Sequence, residues 1–310
     1  MRTLPAMSAD GSRKAILAAF LANLGIAIAK LVGFFVTGAA SMLAEAVHSM
    51  ADSGNQGLLF LGGSRARRQA TREHPFGYGR ERYFWAFVVA LVLFSMGGLF
   101  AIYEAIEKLR HPHELESPLV AIGILVFAIA LESWSFRTAI VEANHVRGDL
   151  GWWAFIRRSK IPELPVVLLE DLGALLGLVL ALGGIIAAEV TGNARFDATG
   201  SLAIGVLLVV IAMILAAEMK GLLIGESAVE GDEAAIRSAF ESTPQVRRVI
   251  HMKTQHLGPE ELLVAAKVEL DPGLSFEDVA ATINAAEANV RAAVPAARVI
   301  YVEPDVHRAA

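Results

Sequence analysis

His48 and Asp52 stand four residues apart inside the apolar stretch Ser41–Gly63. On a helix that spacing stacks an imidazole and a carboxylate on one face, one turn apart. A charged side chain at the bilayer centre costs roughly 2.5–3.5 kcal/mol on insertion scales, so it persists where it meets a partner, a cavity or an ion. Imidazole plus carboxylate is also a ligand pair that suits a borderline divalent metal such as zinc. The same stretch carries Glu45 and Asn55, so that Glu45, His48, Asp52 and Asn55 run at i, i+3, i+7 and i+10, near one face. A second apolar stretch, Leu164–Ala188, brings Glu170 and Asp171 to similar depth, and Leu119–Ile140 holds Glu132. Asn23 sits near the centre of the first apolar stretch. The reading is a membrane protein with a metal-sized polar site in its interior. Glu45, Glu132 and Asn55 are read as relay or supporting groups. Asn23 and Asn55 serve equally well as hydrogen-bonded packing residues, and Glu45 lies close enough to a helix end to be solvated.

Composition agrees with that class. The 310 residues are 55% hydrophobic and only 19% charged, which is the membrane side of soluble-domain averages. Cysteine is absent, so disulfides, thiolate metal sites and iron–sulfur clusters are excluded. Any metal must be held by His, Asp, Glu, Asn or backbone oxygen. A formal net charge of −5, with no long basic tract, argues against nucleic acid as a partner. Met1–Ser12 has no apolar core beside a cleavage-like site, so no removable signal peptide is expected.

Positioning these groups requires spanning helices of about 20 residues, since an open sheet cannot satisfy its backbone in lipid. Six stretches qualify: Ala15–Val36, Ser41–Gly63, Tyr83–Glu104, Leu119–Ile140, Leu164–Ala188 and Ala198–Met219. Glycines such as Gly25, Gly33, Gly173, Gly177, Gly183 and Gly184 punctuate them and permit close helix packing. Lys and Arg set the orientation. The link between the second and third spans carries Arg65, Arg67, Arg68, Arg72, Arg80 and Arg82, and the link before the fifth carries Arg147, Arg157, Arg158 and Lys160. The opposite links hold only Lys108, Arg110 and Arg195. Both termini are therefore expected on the cytoplasmic side.

After Gly225 the composition becomes that of a small soluble domain. A helix over 231–242, strands over 246–256 and 262–270, a helix over 275–293 opened by a Ser275 cap, and a strand over 299–303 give the order αββαβ. That order predicts a two-layer ferredoxin-like α+β domain, small enough to gain stability from pairing with another copy. The organisation expected is a cytosolic tail at 1–14, a six-helix transmembrane domain at 15–224 and a cytosolic domain at 225–310.

At this level the chain resembles the cation diffusion facilitator family. Ala44-Glu45-Ala46-Val47-His48-Ser49-Met50-Ala51-Asp52-Ser53 is similar to that family's metal-binding second helix. His74-Pro75-Phe76-Gly77-Tyr78-Gly79-Arg80-Glu81-Arg82 looks like its recurring cytoplasmic signature, and Val302-Glu303-Pro304 like the end of its tail. The resemblance covers about Arg13 to Pro304. It implies a homodimer that exports a divalent cation, most often zinc, in exchange for protons, and it implies no organic cofactor.

The family's site takes two ligands from the second helix and two from the fifth, each pair four apart. Carried over, these are His48 and Asp52, with Asp171 on the fifth helix. The fourth position here is Val167, which cannot bind metal. Glu170, Glu132 or water would complete the shell, although Glu170 lies about 100° around the helix from Asp171. Zinc is favoured, while cobalt, nickel, iron(II) and manganese accept the same ligands. The Glu170-Asp171 pair after Arg157-Arg158-Ser159-Lys160 resembles the subgroup typified by the animal mitochondrial zinc exporter.

In the soluble domain the family often holds further metal where this chain has Ala266, Tyr301 and Glu303, with Asp278 in place of a frequent histidine. Dimerisation without that cluster is expected, and His251, His256 and His307 are read as surface residues. His74–Arg82 is read as a turn at the membrane interface whose arginines reach headgroups or nearby acids, with Trp152 and Trp153 as interfacial anchors. A bacterial inner membrane is the expected host. Two other classes stay open: an intramembrane metallo-enzyme and a metal-responsive scaffold that transports nothing.

Overall fold

A computed structural model describes residues 24–112 and 117–306. The tail at 1–14, the first part of the Ala15–Val36 span, Asn23 and His307 lie outside the described residues. The chain divides into two compact units. The first gathers the apolar helices, and the second joins 62–84 and 160–162 to 219–310.

The helices of the membrane part follow the apolar runs. They are α1 (Leu24–Thr37), α2 (Ala40–Ala66), α3 (Glu81–Val92), α4 (Phe100–Arg110), α5 (Pro118–Arg147), α6 (Trp152–Arg158), α7 (Glu163–Thr191) and α8 (Arg195–Ile224). Among the described residues, four rods are long and apolar enough to cross a membrane: Glu81–Arg110, α5, α7 and α8. The α2 helix has the length, 27 residues, but its polar line dilutes its apolar content.

One departure from the expected third span has structural weight. Between α3 and α4 the helix widens to a π-helical segment, Leu93–Leu99, which contains the pair Gly97-Gly98. Such bulges insert an extra residue into a turn and shift the faces on either side. Gly98 then meets Gly205 of α8 closely: a Cβ on Gly205 would lie 2.9 Å from the Gly98 carbonyl oxygen and 2.8 Å from the Ile102 nitrogen. The short helix α6 was not expected either. Its Phe155 packs with Ala143 of α5 and Leu168 of α7, while Trp152 stacks under the Arg147 guanidinium at 4.5 Å.

The start of α2 is capped from another helix. Asp197, in the first turn of α8, accepts from the backbone N–H groups of Ala40 (2.8 Å) and Ser41 (3.4 Å) and from the Ser41 hydroxyl. A carboxylate there satisfies orphan donors and meets the positive end of the helix dipole.

The C-terminal unit matches the expected αββαβ order: α9 (Glu230–Glu241), β1 (Val246–Gly258), β2 (Glu261–Leu270), α10 (Phe276–Ala293) and β3 (Val299–Asp305). The sheet order is β1-β2-β3, with β1 antiparallel and β3 parallel to the central β2. Leu262, Val264, Ala266 and Val268 of β2 alternate inward and form a core with Ile236, Phe240, Ala286 and Val290. Ser275 caps α10 in a reciprocal box with Asp278.

Two expectations need correction. His256 is not a surface residue; it is 4% exposed. The backbone of the His74–Arg82 segment closes over that end of β1, so tightly that a Cβ on Gly79 would lie 2.7 Å from the Leu257 carbonyl oxygen. The His256 N–H donates to the Glu226 carbonyl at 2.9 Å, and Glu226 pairs with Lys160. Burial pushes the His256 pKa down, and the nearby Lys160 charge adds to that. His251, five residues away on the opposite face, is exposed as expected. Glu45, although near a helix end, is not solvated either: it is fully buried.

The signature segment itself is a turn, with Gly77 at φ +76. Tyr78 is held between the His74 ring and the Arg68 guanidinium, each at 4.7 Å, and Arg82 approaches Glu260 at 3.8 Å.

Candidate functional site

The polar line on α2 is buried as a set. Glu45, His48 and Asn55 are at 0% exposure, and Asp52 is at 16%. The helical spacing brings His48 Nε2 to 3.5 Å from Asp52 Oδ2, so the pair anticipated from the sequence exists in space. Both His48 ring nitrogens and Asp52 Oδ1 are buried without hydrogen-bond partners in the structure. Buried nitrogen and oxygen lone pairs that no protein group satisfies are costly unless an ion, water or proton serves them. The π-helical segment shapes the other side of the imidazole, because a Cβ at Gly97 would sit 3.8 Å from His48 Nδ1.

The acids of α7 approach the same region from the second helix. Asn55 Nδ2 donates to Glu170 Oε1 at 2.6 Å. Asp171 accepts instead from Ser135 of α5 at 3.1 Å. Glu170, Glu132 and Asp171 are all near enough to act electrostatically on Asp52. Even so, among the described residues no three His, Asp or Glu side chains gather closely enough to hold one ion. His48 and Asp52 are together, while Glu170 and Asp171 are each engaged with a neutral neighbour. Adjacent residues on a helix point about 100° apart, which explains why these two acids have different partners.

Reading the sequence missed one member of the cluster. Lys30 of α1 is 1% exposed, and its ammonium donates to Glu45 Oε2 at 3.1 Å and to Ser49 Oγ at 2.7 Å. A lone lysine within an apolar span was the available signal. Gly177 of α7, at the other side of Glu45, leaves room for that carboxylate: a Cβ there would lie 2.5 Å from Glu45 Oε1. Ser135 and Asp197 likewise act through contacts between helices that no local pattern announces.

A family description, cation efflux transmembrane domain, matches residues 16–224, and a second, cation efflux protein cytoplasmic domain, matches residues 229–305. The chain belongs to the cation efflux family. Among cation efflux relatives, a protein named proton-coupled zinc antiporter SLC30A9, mitochondrial, from Xenopus laevis is 34% identical over 245 residues, 78% of this chain and 44% of the relative. Its human counterpart is 30% identical over 266 residues, 84% of this chain and 46% of the relative. The chain thus spans less than half the length of these two relatives. Zinc transporter ZitB of Escherichia coli is 28% identical over 260 residues, 82% of this chain and 76% of that protein. A solved structure of the MamM C-terminal domain, in a doubly substituted form, aligns with 26% of this chain and 95% of its own at 25% identity, with a TM-score of 0.24.

In the C-terminal domain of this cation efflux protein, Lys267 bridges Glu303 at 3.0 Å and Asp305 at 3.1 Å. Those hydrogen bonds, with the Glu303 bond foremost, push the Lys267 pKa up.

Proposed function

We propose that this protein exports a divalent metal cation, zinc foremost, in exchange for protons. His48, Asp52 and Asp171 act as ligands and Glu170 as the fourth candidate. The observation that carries the reading is the buried His48–Asp52 pair, whose free nitrogen and oxygen donors lie inside a cation efflux protein. Relatives named as zinc antiporters and a zinc transporter support the choice of ion.

The chemistry follows from competition. A dication requires deprotonated ligands, so its binding releases protons, and protons arriving from the other side release it. Imidazole titrates near neutral pH and suits that exchange. Completing the ligand set requires Asp171 to turn from Ser135, or Glu170 from Asn55, toward His48 and Asp52. A relative movement of α2 and α7 does this and gives alternating access.

The wider reading keeps six spans with both termini cytoplasmic, a transport domain at 15–224 after a short tail at 1–14, and a homodimer paired through 225–310. The membrane is a bacterial inner membrane, supported by the short loops between the spans.

The test is zinc-driven proton flux in proteoliposomes. Wild type exchanges the ions, and His48→Ala, Asp52→Ala and Asp171→Ala each abolish the exchange. Wild-type flux in any of the three would remove that residue from the site. Zinc uptake into inverted vesicles against a gradient separates a transporter from an enzyme or a scaffold.

A further inference from the structure

We propose that Lys30 and Glu45 form the outward gate of the cation path, an ion pair that keeps the His48–Asp52 site closed to the outer solution. The inference rests on the export reading and on its orientation, in which the Gly38 turn between α1 and α2 faces outward. From that turn inward, the polar residues of α2 come in the order Ser41, Glu45, His48, Ser49, Asp52, Ser53, Asn55 and Gln56. The Lys30 ammonium, bound to Glu45 and Ser49, spans the outer edge of the site and the level of His48. An ion leaving His48 for the outside must therefore pass the turn of α2 that holds Glu45.

That turn is filled. The Lys30 ammonium reaches across from α1 to Glu45 and Ser49, and both charged groups are buried. On the far side α7 closes against the carboxylate at Gly177, where no side chain intervenes. One turn further out, Asp197 binds the start of α2 through Ala40 and Ser41, and Lys108 donates to the Gly38 carbonyl. The polar contacts are thus layered, and the Lys30–Glu45 layer is the one next to the site.

A tethered ammonium suits a gate against cations for two reasons. It repels a dication in a low-dielectric interior, where like charges interact strongly. Its flexible four-carbon stem also lets it withdraw and return. Glu45 Oε1 has no hydrogen-bond partner in the structure. When the ammonium withdraws, the whole carboxylate is free to pass an outgoing ion.

Water access to the site tests this without requiring transport. The chain has no cysteine, so a cysteine placed by His48→Cys is the sole thiol. With Lys30 and Glu45 intact, a membrane-impermeant thiol reagent should label it from the cytoplasmic face only. With Lys30→Met and Glu45→Gln together, outer-face labelling should accelerate at least about tenfold, equivalent to ~1.4 kcal/mol of gate stability. Lys30→Arg keeps the cation and should leave the outer face closed. Equal outer-face labelling with and without the charged pair, whether fast or absent, overturns the gate, because a purely structural pair would alter stability alone. Should the neutral pair fail to fold, Glu45→Gln by itself carries the same readout. Absence of zinc flux in the wild type would sink the export reading and leave the labelling result legible.

Discussion

Asn55 of α2 donates a 2.6 Å hydrogen bond to Glu170 of α7, joining the two helices that carry the candidate ligands. Both residues are buried, at 0% and 6% exposure. The bond occupies one oxygen of Glu170, so the same contact that joins the two helices also keeps one potential ligand engaged.

Asn55→Ala should leave a buried acid without its donor, costing about 1–3 kcal/mol. A lowered unfolding midpoint of the detergent-purified protein, partly restored by Asn55→Asp only at pH low enough to protonate the new acid, is the expected result. An unchanged midpoint would mean that water replaces the amide without loss.

The cap supplied by Asp197 makes a second prediction. Asp197→Ala removes the acceptor for Ala40 and Ser41 at the start of α2 and should cost about 1–2 kcal/mol. Asp197→Asn retains one acceptor oxygen and should lose less. Thermal unfolding of the two variants side by side checks the ranking, and equal losses would count against a capping role.

Helix packing gives a third. A Cβ at Gly205 meets backbone atoms, which cannot rotate aside, so Gly205→Ala should destabilise by about 1–3 kcal/mol. Gly123 has nothing within 4 Å of its added Cβ, and Gly123→Ala should be tolerated within about 0.5 kcal/mol. Hydrogen exchange on α4 and α8 distinguishes a local loosening from general misfolding.

Acid sensitivity of the C-terminal unit follows from His256. Its folded pKa is pushed below the ordinary value of 6.5, chiefly by burial. The unfolded chain then takes up a proton below pH 6.5 that the folded chain resists, so stability is kept above 6.5 and falls progressively as the pH drops beneath it. Hydrogen exchange of β1 between pH 7.5 and pH 5, values bracketing roughly one unit either side of the ordinary histidine range, should show faster opening in acid. His256→Gln should flatten that dependence, and an equally steep slope in the variant would assign the effect elsewhere.

Much of this molecule was legible along the chain because the signals are periodic and local. Apolar runs such as Leu164–Ala188 announce helices that lipid would enforce, and α7 follows that run. Leu262, Val264, Ala266 and Val268 alternate as a half-buried strand must, and Ser275 with Asp278 marks the start of α10. His48 and Asp52 could be paired from spacing alone, since one helical turn fixes their distance.

What the residues beyond one turn do was not legible. Lys30 reads as an isolated charge in an apolar span until α1 lies against α2. Glu45, a relay group or a solvated one by its place near a helix end, is buried against that lysine, while His256, expected at the surface, is buried where its strand bonds Glu226. The π-helical segment gave only the hint of Gly97-Gly98.

The sequence by itself determined the membrane class, the αββαβ tail and the acid and imidazole content of the candidate site, because hydrophobic period and helical spacing act over a few residues. Only the tertiary structure decided which charge neutralises which, and which acids the site can reach. Pairing and desolvation depend on groups brought together from distant parts of the chain, such as Lys30 with Glu45, Asn55 with Glu170, and Asp197 with Ser41.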